Sequence, residues 1–290
     1  MLTLSWTITE NEAHQELKEF LKARHISKRA LADIKFRGGL ILVNGREVTV
    51  RYRLQPGDAA AIVFPKETPS PNLTPENIPF GLVYEDESVL VADKPAFMNT
   101  IPSREHPSAS LANAVLSHYR KNGIESAVHV VTRLDRNTSG LVLIAKNRYI
   151  HHLCSLMQQK HEICRTYEAL AEGAFTEKSG TIEAPIGRKE TSIIEREVRD
   201  DGQFARTHYE VVRQFPAYAH VRLWLDTGRT HQIRVHLSYI GHPLLGDSLY
   251  GGNTSRFTRQ ALHCSELSFQ HPVSGEEMHF FSKPPFLDLL

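Results

Sequence analysis

Cysteine is scarce in this sequence, and nothing suggests covalent or metal cross-links. Cys154, Cys164 and Cys264 make an odd count in 290 residues, and their spacing fits neither a disulfide framework nor a zinc site. Reduced thiols are therefore expected, and with them a cytoplasmic protein. The start, MLTLSWTITENEA, lacks the basic residues and long apolar run of a signal peptide. No apolar stretch approaches the ~20 residues needed to span a bilayer, so no membrane partner is expected. Glycine-rich phosphate loops are missing, and Gly251-Gly252 reads as a turn. The histidine pairs His151-His152 and His231/His236 lack the i, i+4 spacing of a helical zinc pair, so no metal is expected. Ser139 sits in no nucleophile elbow.

Charge of one sign is also missing overall, since the net charge is +1. Its distribution is uneven. Residues 1–66 hold 11 Lys and Arg against 7 Asp and Glu, and residues 17–46 hold 8 against 2. A small basic module that meets phosphates would show this pattern. Lys22, Arg24, Lys28, Arg29, Lys35 and Arg37 carry it. Within the module, Thr9 and Glu12 form a capping box, and Ala13, Leu17, Phe20 and Leu21 recur at helical spacing. One helix is therefore expected over about residues 10–23. Ser27 caps a second helix that Gly38 and Gly39 end. Asn44-Gly45 turns a hairpin, and Ala59–Phe64 comes next as a strand.

Five prolines in PKETPSPNLTPENIPF, residues 65–80, mark an extended linker, taken as 67–80 between the two domains. The expected organisation is a module over 1–66, this linker, and a second domain over 81–290. There Val89–Val91 reads as a strand, Ser110 caps a helix Leu111–Lys121, and a helix spans about 147–160. Further strands are expected at ICRTYEALAEG, THYEVVR and AHVRLWLD. RTHQIRVHLSYIGHP places Ile233, Leu237 and Ile240 on one helical face, with His231, Arg234 and Ser238 opposite. The chain closes on a hairpin turning at Ser274-Gly275.

The centre of the chain is VHVVTRLDRNTSGLVLIAK, residues 128–146. Val- and Ile-rich runs enclose a polar loop that holds Asp135 between Arg133 and Arg136. Nearby positive charge keeps a carboxylate ionised, so Asp135 is a candidate nucleophile or base, with a structural Asp–Arg pair as the alternative. Arginines for phosphates and aromatic planes for unpaired bases complete a set suited to a nucleotide within RNA.

TRLDRNTSGLVLIAK resembles the signature motif of the RluA-type pseudouridine synthases. The resemblance continues in order through ADKPAFM, RTYEAL, TGRTHQIRVHLSYIGHPLLGDSLYGG and RQALHCSELSFQHPVSG. Residues 12–65, with their VNG and PGD turns, resemble the S-four-like (α-L) RNA-binding module. The resemblance implies an α+β fold: a mixed, largely antiparallel sheet with flanking helices, plus the small N-terminal α/β module. It implies isomerisation of uridine to pseudouridine in structured RNA, ribosomal RNA in preference to transfer RNA, with no cofactor; a monomer is expected. Asp135 takes the place of the family's essential aspartate, as nucleophile at the ribose or as base on the neighbouring carbon. Tyr167 matches the tyrosine against the base, and Arg234 matches the arginine paired with the aspartate. Leu262 matches a leucine of the base pocket, and Arg133, Arg136 and Arg229 are expected to meet substrate. Phe97, Ile101 and Thr132 depart from the family's usual glycine and two histidines.

Overall fold

The computed structural model describes residues 2–289. The N-terminal part builds a four-stranded antiparallel sheet. Its elements are β1 (Thr3–Thr7), α1 (Leu17–Ala23), α2 (Lys28–Phe36), β2 (Leu40–Val43), β3 (Arg46–Glu47) and β4 (Ala59–Val63), with strand order β1-β4-β2-β3. Ser27 caps α2 as expected, its hydroxyl accepting from Ala30 N–H at 3.1 Å. Asn44 and Gly45 both have positive φ, as a tight hairpin turn requires.

The single helix expected over residues 10–23 is broken in two. The Thr9–Glu12 capping box forms, but it closes only one 3₁₀ turn, Glu10–Glu12. The backbone N–H groups of His14 and Leu17 donate instead to Leu54 and Tyr52, both at 2.8 Å. His14 adopts φ 63° to allow this, and the helix starts only at Leu17. Pairing with the distant 52–54 segment thus overrides the local helical pattern. Strand β1 was not expected from sequence, although its five residues, Thr3 to Thr7, alternate polar and apolar.

Residues 65–80 contain neither helix nor strand. They are nevertheless anchored. The Glu67 carboxylate accepts from Arg148 N–H at 2.7 Å and contacts His129, and Asn113 Nδ2 donates to Thr74 O at 2.7 Å. The small sheet is also tied to α4 (Arg148–Gln159): Phe64 stacks on Tyr149 with centroids 5.0 Å apart, and the Tyr149 hydroxyl donates to Arg24 O at 2.8 Å.

The remaining chain forms a large mixed sheet. In order come β5 (Gly81–Glu85), β6 (Val89–Lys94), α3 (Leu111–Lys121), β7 (His129–Val130), β8 (Ser139–Ala145), α4 and β9 (Cys164–Glu172). After them come β10 (Ser179–Glu183), β11 (Ile186–Arg188), β12 (Arg196–Val198), β13 (Arg206–Gln214), β14 (Tyr218–Leu225), α5 (Gln232–Tyr239), β15 (Leu262–Gln270) and β16 (Glu277–Phe281). The sheet path is β10-β13-β14-β9-β15-β8-β6-β5, with β7 on β8 and β16 on β15, while β11 and β12 pair as a separate two-stranded sheet. Among the described residues, β8 and β15 pair in parallel and the other pairings of this sheet are antiparallel. This is the expected α+β fold class.

Strand β8, SGLVLIA, is buried along its whole length and forms the spine of the core. Its entry needs a glycine. Gly140 has φ 115°, and a Cβ there would lie 2.6 Å from Cys264 N across the parallel pairing. That close approach fixes where the polar loop 131–138 leaves the sheet.

Candidate active site

Asp135 sits on the loop between β7 and β8, at the floor of a cleft of about 1340 Å³. A smaller recess of about 70 Å³ opens beside it. Leu134, Asp135, Tyr167, Arg229, Arg234 and Leu262 are among its walls. Four distant segments therefore converge: the 131–138 loop, β9, the start of α5 and the start of β15.

The loop is held from several sides. Thr138 N–H donates to Asp135 O at 3.1 Å, which closes the turn. The Thr100 hydroxyl donates to Leu134 O at 2.8 Å and accepts from Leu134 N–H at 3.1 Å, clamping the residue before Asp135 at both backbone groups. Lys94 is fully buried, and its ammonium donates to Pro95 O at 2.9 Å, Met98 O at 2.8 Å and Arg136 O at 3.3 Å. Burial pushes Lys94 down to about 7, against the attraction of Asp135. Lys94 thus braces the loop from behind.

The arginines adjacent in sequence do not hold Asp135. Arg133 and Arg136 are exposed and extend into the cleft instead. The carboxylate's cation is Arg234, whose Nη1 lies 3.4 Å from Asp135 Oδ2. Arg234 in turn is gripped by Asp247: Nε donates to Oδ2 at 2.7 Å and Nη2 to Oδ1 at 2.8 Å. Burial works against the arginine's charge, but the Asp247 pair outweighs it and raises the Arg234 pKa. His231 Nε2 also faces Asp135 Oδ2, at 3.8 Å.

Tyr167 is buried on β9, and its hydroxyl accepts from Arg165 Nη1 at 3.0 Å. Burial raises its pKa, so the phenol is neutral. Leu262 begins β15, buried beside it. The exposed Arg229 donates through Nε to Phe204 O at 3.0 Å at the recess mouth. All three residues matched to the reaction, Asp135, Tyr167 and Arg234, thus line one recess.

The altered motif positions have local consequences. Thr132 is buried and its hydroxyl accepts from Leu143 N–H at 2.9 Å, so it ties the loop to β8. Phe97 takes φ 66°, a region that strains any residue with a Cβ, and its ring is largely exposed. Ile101 is exposed on the cleft wall.

Of the six basic residues assigned to the module, Lys22, Lys28, Arg29, Lys35 and Arg37 are exposed. Arg24 is placed differently from the other five. Its guanidinium turns inward, pairing with Glu12 at 2.6 Å and lying 3.5 Å over the Phe20 ring. Its positive charge is committed to the module's own packing. Among the described residues no cluster of His, Cys, Asp and Glu could hold a metal ion, and no helix is long and apolar enough to cross a membrane.

A family model described as RNA pseudouridylate synthase matches residues 88–239, just over half the chain. An uncharacterized RNA pseudouridine synthase of Bacillus subtilis (strain 168), YjbO, is 49% identical over 93% of this chain and 95% of that protein. Ribosomal large subunit pseudouridine synthase D of Pasteurella multocida (strain Pm70) is 38% identical over 87% of this chain and 82% of that protein. Among solved structures, human RNA pseudouridylate synthase domain containing 1 superposes with a TM-score of 0.62 at 24% identity, covering 77% of this chain and 89% of that one. That last likeness concerns the fold.

Proposed function

The chain belongs to the RNA pseudouridine synthase family, and from that premise we propose that it converts specific uridines to pseudouridine in ribosomal RNA, with Asp135 as the reacting group. The observation that carries the site assignment is the placement of Asp135. It is partly exposed in the cleft, yet it shares its recess with buried Tyr167 and Leu262 and faces Arg234.

The reaction breaks the bond from uracil N1 to ribose C1′, turns the base, and joins C5 to C1′. The hydrogen on C5 leaves and N1 gains one, so the net change is an isomerisation with no redox or hydrolytic step. Asp135 acts either by adding to C1′ or by taking the proton from C2′. Both roles need an anion with one oxygen free toward the ribose. Tyr167, a neutral phenol lining the recess, packs on the base and relays the C5 proton, its hydroxyl passing its own proton to water as it takes up the one from C5. Leu262 closes the apolar side. The target uridine leaves its stack at a cost of a few kcal/mol, and exposed Arg133 and Arg136 stand where they can fill the vacancy and hold phosphates. Residues 1–66 are the RNA-binding module, joined through 67–80 to the catalytic part over 81–290. The exposed Lys22, Lys28, Arg29, Lys35 and Arg37 support that division. The ribosomal target is suggested by the named relative, synthase D.

The test is to incubate the protein with ribosomal RNA transcribed without modifications and map pseudouridine. Product is expected with the native chain and none with Asp135→Asn. Binding without product, or product that survives Asp135→Asn, overturns the assignment.

A further inference from the structure

Both contacts on the Asp135 carboxylate fall on the same oxygen. Arg234 Nη1 and His231 Nε2 each approach Oδ2, at 3.4 and 3.8 Å, while no hydrogen bond among the described residues reaches Oδ1. His231 is unusual in its own right. It stands just before α5 with φ 57°, a left-handed conformation that is sparsely populated outside glycine. Its other ring nitrogen, Nδ1, lies 2.7 Å from the Tyr250 hydroxyl. That hydroxyl already accepts the backbone N–H of Arg196 at 2.9 Å. A backbone N–H can only donate, so the hydroxyl's own proton is free to go to Nδ1, its other polar partner. With Nδ1 as that acceptor, a neutral ring would carry its hydrogen on Nε2, facing Asp135.

We infer that His231, with its tautomer set by Tyr250, is a positioning residue that anchors Asp135 Oδ2 and so dedicates Oδ1 to the ribose. This rests on the reading of Asp135 as the reacting group. The physical logic is one of charge. Arg234 is largely neutralised by its bidentate partner Asp247, so it supplies Asp135 with a distant, partly spent cation. A second full cation would hold the carboxylate more tightly but also weaken it as a base or nucleophile. A neutral N–H donor gives direction at a smaller loss of reactivity. Contacts of this length in the free enzyme shorten when substrate excludes water. Tyr250 lies outside the walls of the cleft and recess; its ring packs under the Arg234 guanidinium at 4.8 Å, a contact that Phe would keep, and its hydroxyl is linked to Asp135 through His231.

Tyr250→Phe keeps the ring and deletes the hydroxyl, and it separates positioning from substrate contact. The expected result is kcat lowered roughly 3- to 10-fold, the range for one lost neutral hydrogen bond, with KM unchanged. His231→Asn, chosen because asparagine tolerates positive φ, should lower kcat by at least as much. Nitrogen NMR of labelled His231 should show hydrogen on Nε2 in the native chain and a mixture of tautomers in Tyr250→Phe. The NMR result does not depend on turnover, so it tests the inference even if the assigned RNA proves wrong. Hydrogen on Nδ1 in the native protein, or kcat unchanged in Tyr250→Phe, overturns it.

Discussion

Arg234 gives two nitrogens to Asp247, at 2.7 and 2.8 Å, and only its third to Asp135, at 3.4 Å. The arginine is therefore aimed by a residue thirteen positions along, one that lines the main cleft but lies outside the recess. Asp247 is itself buried, at 1% exposure, so neither partner of the pair can turn to water. Removing one partner of such a pair leaves the other uncompensated, at a typical cost of about 3–5 kcal/mol. Asp247→Ala should destabilise the protein by that order in denaturant unfolding and lower kcat as well. Arg234→Lys should not rescue function, since an ammonium cannot grip Asp247 with two nitrogens and still reach Asp135. A fully active, fully stable Asp247→Ala variant would remove the aiming role.

The Thr100 hydroxyl takes the place of a backbone partner for Leu134, satisfying both its N–H and its C=O in a buried setting. Thr100→Val has nearly the same shape and loses both bonds. A cost of about 1–3 kcal/mol is expected from the unsatisfied groups. Because Leu134 precedes Asp135, kcat should fall too, and Thr100→Ser should restore most of both. Equal kcat in Val and Ser variants would show that the loop holds its shape without this clamp.

What sequence reveals and what it hides divide by range. The Asp135 loop is legible because it is local: apolar runs lie on either side, and its motif resembles a known family. The caps at Ser27 and Ser110 are legible for the same reason. The partners of Asp135 cannot be read from its neighbours. Arg133 and Arg136 flank it in sequence, yet the loop turns them outward, and the cation that reaches it comes from 99 positions away. The resemblance, not the spacing, points to Arg234. Asp247, Thr100 and Tyr250 carry no local signal, since a lone Asp, Thr or Tyr in a loop looks like surface until the fold buries it. The broken helix near His14 escapes sequence reading similarly, because its competitor, the 52–54 segment, lies far along the chain.

Lys94 makes a pH prediction. Burial lowers its pKa to about 7 in the folded protein from an ordinary value of 10.5. Between those values the unfolded chain holds the proton and the folded one does not, so stability from this group rises with pH. Below pH 7 both states hold it and the burial cost is at full strength. Denaturant unfolding at pH 7, 8, 9 and 10 should show the native chain gaining stability relative to Lys94→Met across that window. Parallel curves for the two proteins would mean the three carbonyls around the ammonium keep it charged throughout.

The basic module separates two kinds of arginine. Lys28 and Arg29 are exposed at the start of α2, next to the Ser27 cap, where they can reach phosphates. Arg24 is committed to Glu12 and to the Phe20 ring. Replacing Lys28 and Arg29 with Ala should weaken binding to a ribosomal RNA fragment and flatten the log affinity against log salt slope by roughly 1 to 2, one released counterion per lost contact. Arg24→Ala should leave that slope in place and instead loosen the module, through the lost packing of its guanidinium on Phe20 and Trp6. Measuring affinity at four salt concentrations, beside thermal unfolding, distinguishes the two. If Arg24→Ala flattens the slope and the Lys28, Arg29 pair does not, the phosphate-facing side of the module has been placed on the wrong residues.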